Sequence, residues 1–336
     1  MLKVTLGQTG ITVNKNGFGC LPIQRISKED AAKLLRKAYD NGIEYYDTAR
    51  NYTDSEEKIG YALSDVRDKI YLATKTHAKT AEAAQKDLET SLRNLRTDYI
   101  DVYQFHTPPF CPKPGGEDGL YDWALEKQKE GKIRFIGITN HKYTVAQEAV
   151  ESGLYATLQF PFSYLSGPQD YALAEACKEK NMGFIAMKSL AGGLISVGAA
   201  AFAFAAQYPH VLPIWGMQRE CELDEFLSYQ DNPPTMDERI KAIIAKDQAE
   251  LIGNFCRGCG YCLPCPAKID IPLAARMSLM LRRAPAENFL TPAHQEMMSH
   301  IDNCIHCNHC KNHCPYGLDT PSLLRANYED FKTFLK

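Results

Sequence analysis

Three short, largely apolar runs each end on an ionisable residue: "IEYYD" on Asp47, "IYLATK" on Lys75 and "YIDVYQFH" on His106. Tyr52 follows Asp47 by five residues. A phenol, an ammonium, a carboxylate and an imidazole form a set that can deliver a proton to a carbonyl oxygen. A free phenol titrates near pH 10, too high for easy donation at neutrality. A neighbouring ammonium favours the phenolate and lowers that value, and a carboxylate holds the ammonium charged. The imidazole can hydrogen-bond the carbonyl oxygen. The set suits carbonyl reduction, with hydride arriving at carbon while Tyr52 gives a proton to oxygen. Taken singly, the Asp and Lys read as caps or surface charges, and the Tyr and His as satisfied rim groups. The catalytic reading rests on the four together.

A second chemistry lies near the end of the chain. Eight of the twelve cysteines fall in two stretches, "CRGCGYCLPCP" and "CIHCNHCKNHCP". The first holds Cys256, Cys259, Cys262 and Cys265 before Pro266; the second holds Cys304, Cys307, Cys310 and Cys314 before Pro315. The second has the C-x2-C-x2-C-x3-C-P spacing of bacterial ferredoxins, and the first is one residue shorter before its last cysteine. Three thiolates so spaced wrap three corners of an iron–sulfur cube, and the fourth ligand comes from the other motif. The expected sets are Cys256, Cys259, Cys262 and Cys314 for one 4Fe–4S cluster, and Cys304, Cys307, Cys310 and Cys265 for the other. The alternative is a pair of structural zinc sites, which pair separate C-x2-C units instead of packing four cysteines ahead of a proline. His306, His309 and His313 sit among the second set and read as solvated or hydrogen-bonding residues, since each cage is already complete. Of the scattered Cys20, Cys111, Cys177 and Cys221, most are expected to be small buried hydrophobes. The tails "KIDIP" and "GLDTP" after the two Cys-Pro pairs point to an internal duplication.

These residues need a scaffold. The chain has 336 residues, 45% hydrophobic and 24% charged, with a net charge of −3. That balance offers nothing to nucleic acid or an anionic membrane. No apolar run reaches transmembrane length, and the N-terminal stretch lacks the apolar core of a secretion signal. A cytoplasmic setting is expected, where clustered cysteines point to metal and not to disulfides. An opening hairpin, "VTLGQTGITVNKNG", precedes eight strand–helix pairs. They begin with "GFGCLPI" and a helix capped by Ser27, and end with "VLPIWGM" and "ECELDEFLSYQ". The strands are short and near-continuously apolar, as in a parallel sheet covered by helices. Eight pairs fit an α/β fold of the (β/α)8 TIM barrel type, whose strands carry chemistry at their C-terminal ends. An open doubly wound sheet is the runner-up, but its G-x-G-x-x-G turn is absent. The expected division is residues 1–232 for the barrel and 233–336 for a helical linker and a small α-helical dicluster ferredoxin-like domain.

At this point the chain resembles the aldo-keto reductases, in the branch with a C-terminal 4Fe–4S dicluster extension. "YYDTARNY" is similar to their Asp-plus-Tyr segment, and "LATK" and "YQFH" to their Lys and His segments. The resemblance covers residues 1 to about 230. It implies hydride transfer from a nicotinamide cofactor, NADH or NADPH, bound without a Rossmann fold. It implies carboxamide contacts for Thr139 and Asn140 in "GITNH" and for Gln159 in "TLQF". Asp47 joins them at the nicotinamide. It places Met187, Lys188 and Leu190 of "AMKSL" where the family often stacks an aromatic on the nicotinamide. It places Gly216, Met217, Arg219 and Glu222 of "WGMQRECE" around the adenosine end. Glu222 would repel a 2′-phosphate and bond a free 2′-hydroxyl, a slight lean to NADH that Arg219 opposes.

The expected function is therefore an NAD(P)H-dependent carbonyl reductase, or alcohol dehydrogenase in reverse, acting on a small carbonyl or alcohol and carrying two clusters. The alternative is an electron-transfer or redox-sensing subunit that couples nicotinamide to a redox partner protein through the clusters. Whether the clusters are structural or redox-active stays open at this stage, as does the substrate.

Overall fold

The computed structural model describes residues 2–251, 255–283 and 285–335. Strands β1 (Lys3–Thr5) and β2 (Thr12–Asn14) pair antiparallel as the opening hairpin. Eight strands follow: β3 (Gly17–Gly19), β4 (Tyr45–Asp47), β5 (Tyr71–Thr76), β6 (Ile100–His106), β7 (Ile133–Thr139), β8 (Thr157–Pro161), β9 (Gly183–Met187) and β10 (Val211–Gly216). All their pairings are parallel, and β10 returns to β3, so the sheet closes into a barrel. The helices after successive strands are α1 (Lys28–Asp40), α2 (Ser55–Leu63), α3 (Ala81–Leu95), α4 (Leu120–Lys129), α5 (Tyr143–Ser152), α6 (Pro168–Glu179), α7 (Gly198–Ala206) and α8 (Glu220–Asp231). The (β/α)8 expectation is met, with every strand on its expected apolar run.

Local signals act as chemistry dictates. The Ser27 side chain accepts the Asp30 N–H at the start of α1, satisfying one of the orphan donors of a helix N-terminus. Ala31, Leu34, Leu35 and Ala38 then recur at helical spacing and are buried. The hairpin's Val4, Leu6, Ile11 and Val13 pack with Tyr45, Ala73, Val102, Ile185 and Leu212. That cluster fills the end where the strands begin. The end where they finish, with Asp47, His106 and Met187, is left to the loops.

The chain divides into two compact units, Met1–Ser189 with Val197–Ala242, and Leu190–Ser196 with Ile243–Lys336. The division falls inside α9 (Glu238–Leu251) and later than residue 232, and it assigns a seven-residue loop after β9 to the second unit. The second unit contains α10 (Ile271–Ala274), α11 (Met277–Arg283), α12 (Pro292–Ser299), α13 (His309–Asn312) and α14 (Thr320–Thr333). Its core includes Ile269, Ile271, Met277, Met298, Leu324 and Phe331, so methionines between the cysteine motifs are core residues. The two tails share backbone dihedrals at matching positions. Lys268 and Gly317 have φ of 56° and 65°. Asp270 and Asp319 precede α10 and α14 with φ/ψ of −73°/78° and −75°/75°. This is the local geometry of a duplicated motif. Among the described residues no helix is long and apolar enough to cross a membrane.

Candidate active site and cysteine cages

Neighbouring strands β4, β5 and β6 bring three of the four candidate catalytic residues to adjacent positions. The Lys75 ammonium donates to Asp47 Oδ1 at 2.6 Å and to the Thr48 carbonyl at 2.6 Å. Both side chains are almost inaccessible, at 1% and 3%. The Asp47 carboxylate also accepts from Gln104 Nε2 and Gln159 Nε2, each at 3.2 Å. Lys75 Nζ lies 5.2 Å from the centroid of the half-buried Tyr52 ring. The Tyr52 and His106 rings meet edge to face, with centroids 5.9 Å apart.

Burial pulls the Lys75 pKa down, but the charges of Asp47 and Tyr52 and the Asp47 hydrogen bond outweigh it, and the net shift is upward. His106 is driven well below the usual histidine value by burial first, then by Lys75, His77 and His141, so it is a neutral imidazole. Tyr52 departs from expectation. Lys75 does pull its pKa down, by charge and by a hydrogen bond, but burial is larger and the net shift is upward. The ammonium moderates the phenol without making it more acidic than free tyrosine, because desolvation of the phenolate wins.

Two residues near the site went unnoticed in the sequence. Gln104 steadies Asp47; a buried amide two residues before His106, in the same strand phase, was the available signal. His77, just past Lys75, stacks on His106 with centroids 4.0 Å apart and ring planes 16° apart. Nothing in the sequence marks that contact.

In the second unit, one cavity is lined by five cysteines, Cys256, Cys259, Cys262, Cys310 and Cys314. Another is lined by Cys262, Cys265, Cys304, Cys307 and Cys310. Both motifs thus contribute cysteines to each cavity, and Cys262 and Cys310 line both. Burial, and then the charge of Cys256, push the Cys262 thiol up to about 12. Cys259 and Cys310 are raised mainly by burial as well. His309 and His313 stack on each other at 4.0 Å, and His306 is exposed. Of the scattered cysteines, Cys20, Cys111 and Cys177 are buried and Cys221 is exposed.

The aldo/keto reductase family matches residues 15–198, and the 4Fe-4S dicluster domain family matches residues 255–319. The chain belongs to the aldo/keto reductase family. It carries a C-terminal 4Fe–4S dicluster domain. Among curated relatives, L-galactose dehydrogenase of Arabidopsis thaliana is 31% identical over 57% of this chain and 66% of its own length. The aldo-keto reductase YhdN of Bacillus subtilis is 29% identical over 58% of this chain and 64% of its own length. The chain thus spans about two thirds of these relatives. Among solved structures, an aldo-keto reductase from Bacillus halodurans in its holo form matches with a TM-score of 0.66 at 20% identity, covering 75% of this chain and 98% of that one. One from Klebsiella pneumoniae in complex with NADPH gives 0.61 at 23%, over 73% and 95%. At those identities the likeness concerns the fold.

In this aldo/keto reductase the expected nicotinamide residues line the strand ends. Thr139 closes β7, and its hydroxyl accepts the Thr107 N–H at 3.2 Å. Both ends of the Asn140 amide are used within its loop: Nδ2 donates to the Pro108 carbonyl, and Oδ1 accepts the N–H groups of His141 and Lys142. Met187 ends β9 half-buried, Lys188 follows with φ of 57°, and Leu190 falls in the second unit. Gly216 ends β10 exposed, and Met217 is buried. Glu222 and Arg219 correct the electrostatic reading of the adenosine end. The Glu222 carboxylate caps α8 by accepting the N–H groups of Gln218 and Arg219 at 2.9 and 3.0 Å, and pairs with the Arg219 guanidinium at 2.7 Å. The two charges cancel each other, so the lean towards NADH loses its basis.

Proposed function

We propose that the chain is a nicotinamide-dependent carbonyl reductase, reversible to alcohol oxidation, with two 4Fe–4S clusters in its C-terminal unit. The observation that carries the reading is the buried Asp47–Lys75 pair beneath Tyr52, with neutral His106 edge-on to the same phenol. The Tyr52 hydroxyl donates its proton to the carbonyl oxygen. Lys75 stabilises the phenolate that remains, and Asp47, steadied by Gln104 and Gln159, keeps Lys75 charged and in place. His106, as a neutral imidazole, hydrogen-bonds the same oxygen and orients the carbonyl. The chain's own polar groups fit a nicotinamide: Gln159 Oε1 and His106 Nδ1 are buried and have no hydrogen-bond partner among the described residues. Gln159 and Thr139 would hold its carboxamide, with Met187 against the ring. When bound, the nicotinamide supplies or accepts the hydride. NADPH appears with the Klebsiella pneumoniae relative, and the neutral Arg219–Glu222 pair is compatible with either dinucleotide.

The cysteine unit fits clusters because five cysteines drawn from both motifs line each cavity, enough for four ligands apiece, and a buried thiol raised as far as Cys262 stays protonated without a cationic centre. Cys256, Cys259, Cys262 and Cys314 would hold one cluster, and Cys265, Cys304, Cys307 and Cys310 the other. Such clusters staple the unit and supply one-electron redox capacity. A redox partner protein is a second reading, favoured by Ile305, 64% exposed, beside the exposed Cys307. The test is anaerobic purification and a panel of small aldehydes, ketones and sugars with NADH and NADPH. Carbonyl-dependent oxidation of either dinucleotide is expected. Nicotinamide binding with no turnover across the panel, coupled to cluster reduction, would favour the electron-transfer reading.

A further inference from the structure

Glu56 lies in the first turn of α2, four residues after Tyr52, and is 1% exposed. Its carboxylate accepts from four side chains. Thr74 Oγ1 donates to Oε1 at 2.7 Å, and Ser91 Oγ to the same oxygen at 2.6 Å. Asn94 Nδ2 donates to Oε2 at 3.3 Å, and the Arg50 guanidinium pairs with that oxygen. Three of the donors sit on regular elements: Thr74 on β5, Ser91 and Asn94 on α3. Arg50 does not. It lies in the irregular segment between β4 and α2 that carries Tyr52. The Arg50 N–H also donates to the Lys75 carbonyl at 3.0 Å. On the other flank of Tyr52, the Ser55 N–H donates to the Tyr52 carbonyl at 2.8 Å. The Ser55 hydroxyl donates to the Cys20 carbonyl at 3.0 Å and lies 2.9 Å from Thr48 Oγ1. The segment is therefore fastened on both sides of the phenol. Between the fastenings, Thr53 holds φ of 37°. Left-handed backbone at a non-glycine residue persists only where the surroundings over-determine it.

We propose that Glu56 is a positioning residue for Tyr52: through Arg50 it ties the segment that carries the phenol to the strand that carries Lys75, and so sets where the hydroxyl stands for proton transfer. The proposal rests on the reading of Tyr52 as the proton donor. Thr74 and Lys75 are successive residues of β5, so their side chains leave opposite faces of the sheet. One meets Glu56 and the other meets Asp47. The same two residues of strand thus anchor the segment from outside and the ammonium from inside. A buried ion pair adds little stability over well-packed apolar residues, so what this one contributes is placement. Without the carboxylate, Arg50 loses its partner and one flank of the segment loosens, while the Asp47–Lys75 pair keeps its own contacts.

The test is a mutant cycle of wild type, Glu56→Gln, Tyr52→Phe and the double variant. Each is prepared anaerobically and assayed on a carbonyl that the wild type reduces, with dinucleotide affinity measured alongside. Glu56→Gln keeps the shape but turns an NH2 group towards side chains that need an acceptor. Its turnover is expected to fall about tenfold, short of the factor on the order of 100 that a 1 Å misplacement can cost. KM for the carbonyl and dinucleotide affinity are expected to stay at wild-type values. In the Tyr52→Phe background the same substitution is expected to change the residual turnover by less than about twofold, because the hydroxyl it positions is gone. Wild-type turnover in Glu56→Gln overturns the proposal. An equal fall in both backgrounds also overturns it, since Glu56 then supports the fold alone. If Glu56→Gln does not fold, the Arg50 variants decide. Arg50→Gln is expected to reproduce the loss, and Arg50→Lys, which keeps a cation for the carboxylate, to retain most of the turnover; equal turnover in the two overturns the proposal. If Tyr52→Phe itself turns over like wild type, the proton-donor reading fails. If it loses turnover while Glu56→Gln acts alike in both backgrounds, the positioning alone fails.

Discussion

The Lys75 ammonium sits 2.6 Å from Asp47 Oδ1 with both groups shut off from solvent, and two glutamine amides, from Gln104 and Gln159, hold the carboxylate from its other sides. Buried pairs are poor stabilisers on balance but costly to break from one side, because the survivor is left charged and unpaired. This pair is therefore best understood through what it does for Tyr52.

Asp47→Asn keeps the shape and removes the charge. It is expected to destabilise the protein by about 3–5 kcal/mol and to lower turnover on the order of 100-fold. Adding Lys75→Met should restore much of the stability without restoring turnover. Denaturant melts and steady-state rates of the single and double variants check this. Equal recovery of both quantities would mean that the pair serves folding alone.

The pH behaviour follows from His106. Its folded value lies well below the ordinary 6.5, mainly through burial. Below about pH 6.5 the unfolded chain therefore binds a proton that the native site refuses. Native stability contributed by this group is present above that pH and is lost as pH falls. His106→Asn should flatten the acid slope of stability. Tyr52 lies above its usual value, so it stays protonated as a donor through neutrality, and reduction by the wild type should show no loss of the acid catalyst between about pH 6 and 9. A stability curve with the same acid slope in His106→Asn would contradict the assignment.

At the adenosine end, Glu222→Gln keeps an acceptor for the α8 cap and releases Arg219 from its partner. It is expected to shift preference towards NADPH, by a factor on the order of 10 for one freed charge near a phosphate. The ratio of NADPH to NADH affinities is the readout. An unchanged ratio would place the ribose away from this pair.

Much of this was legible in the chain itself. Short apolar strands alternating with amphipathic helices prescribe a parallel barrel, and the ends of β4, β5 and β6 carried Asp47, Lys75 and His106 openly. The spacing of the two cysteine motifs raises the proposal of crossed ligation, and cysteines of both motifs line each cavity. What was not readable depends on depth or on side-chain meetings far apart in sequence. Burial of the Tyr52 hydroxyl reverses the net direction that Lys75 alone would impose. The Arg219–Glu222 pair looks like two opposing ligands until α8 is seen to need a cap.

The cages predict about eight irons and eight sulfides per chain. Cys314→Ala should damage the site of Cys256, Cys259 and Cys262 and leave Cys304, Cys307 and Cys310 with Cys265. Cys265→Ala should do the reverse. Iron analysis and electron resonance on anaerobic preparations read this out. Tightly bound zinc without iron would overturn the cluster assignment, and two intact clusters in Cys314→Ala would overturn the crossed ligation.

The account turns on Tyr52 as the proton donor, and its most direct measurement is the steady-state rate of Tyr52→Phe on a carbonyl that the wild type reduces, with dinucleotide affinity measured on the same preparation. Losing one hydroxyl leaves the ring against His106 and the Asp47–Lys75 pair intact. The predicted result is a fall in turnover by a factor on the order of 100 or more, with dinucleotide affinity unchanged. Turnover near wild type would contradict it.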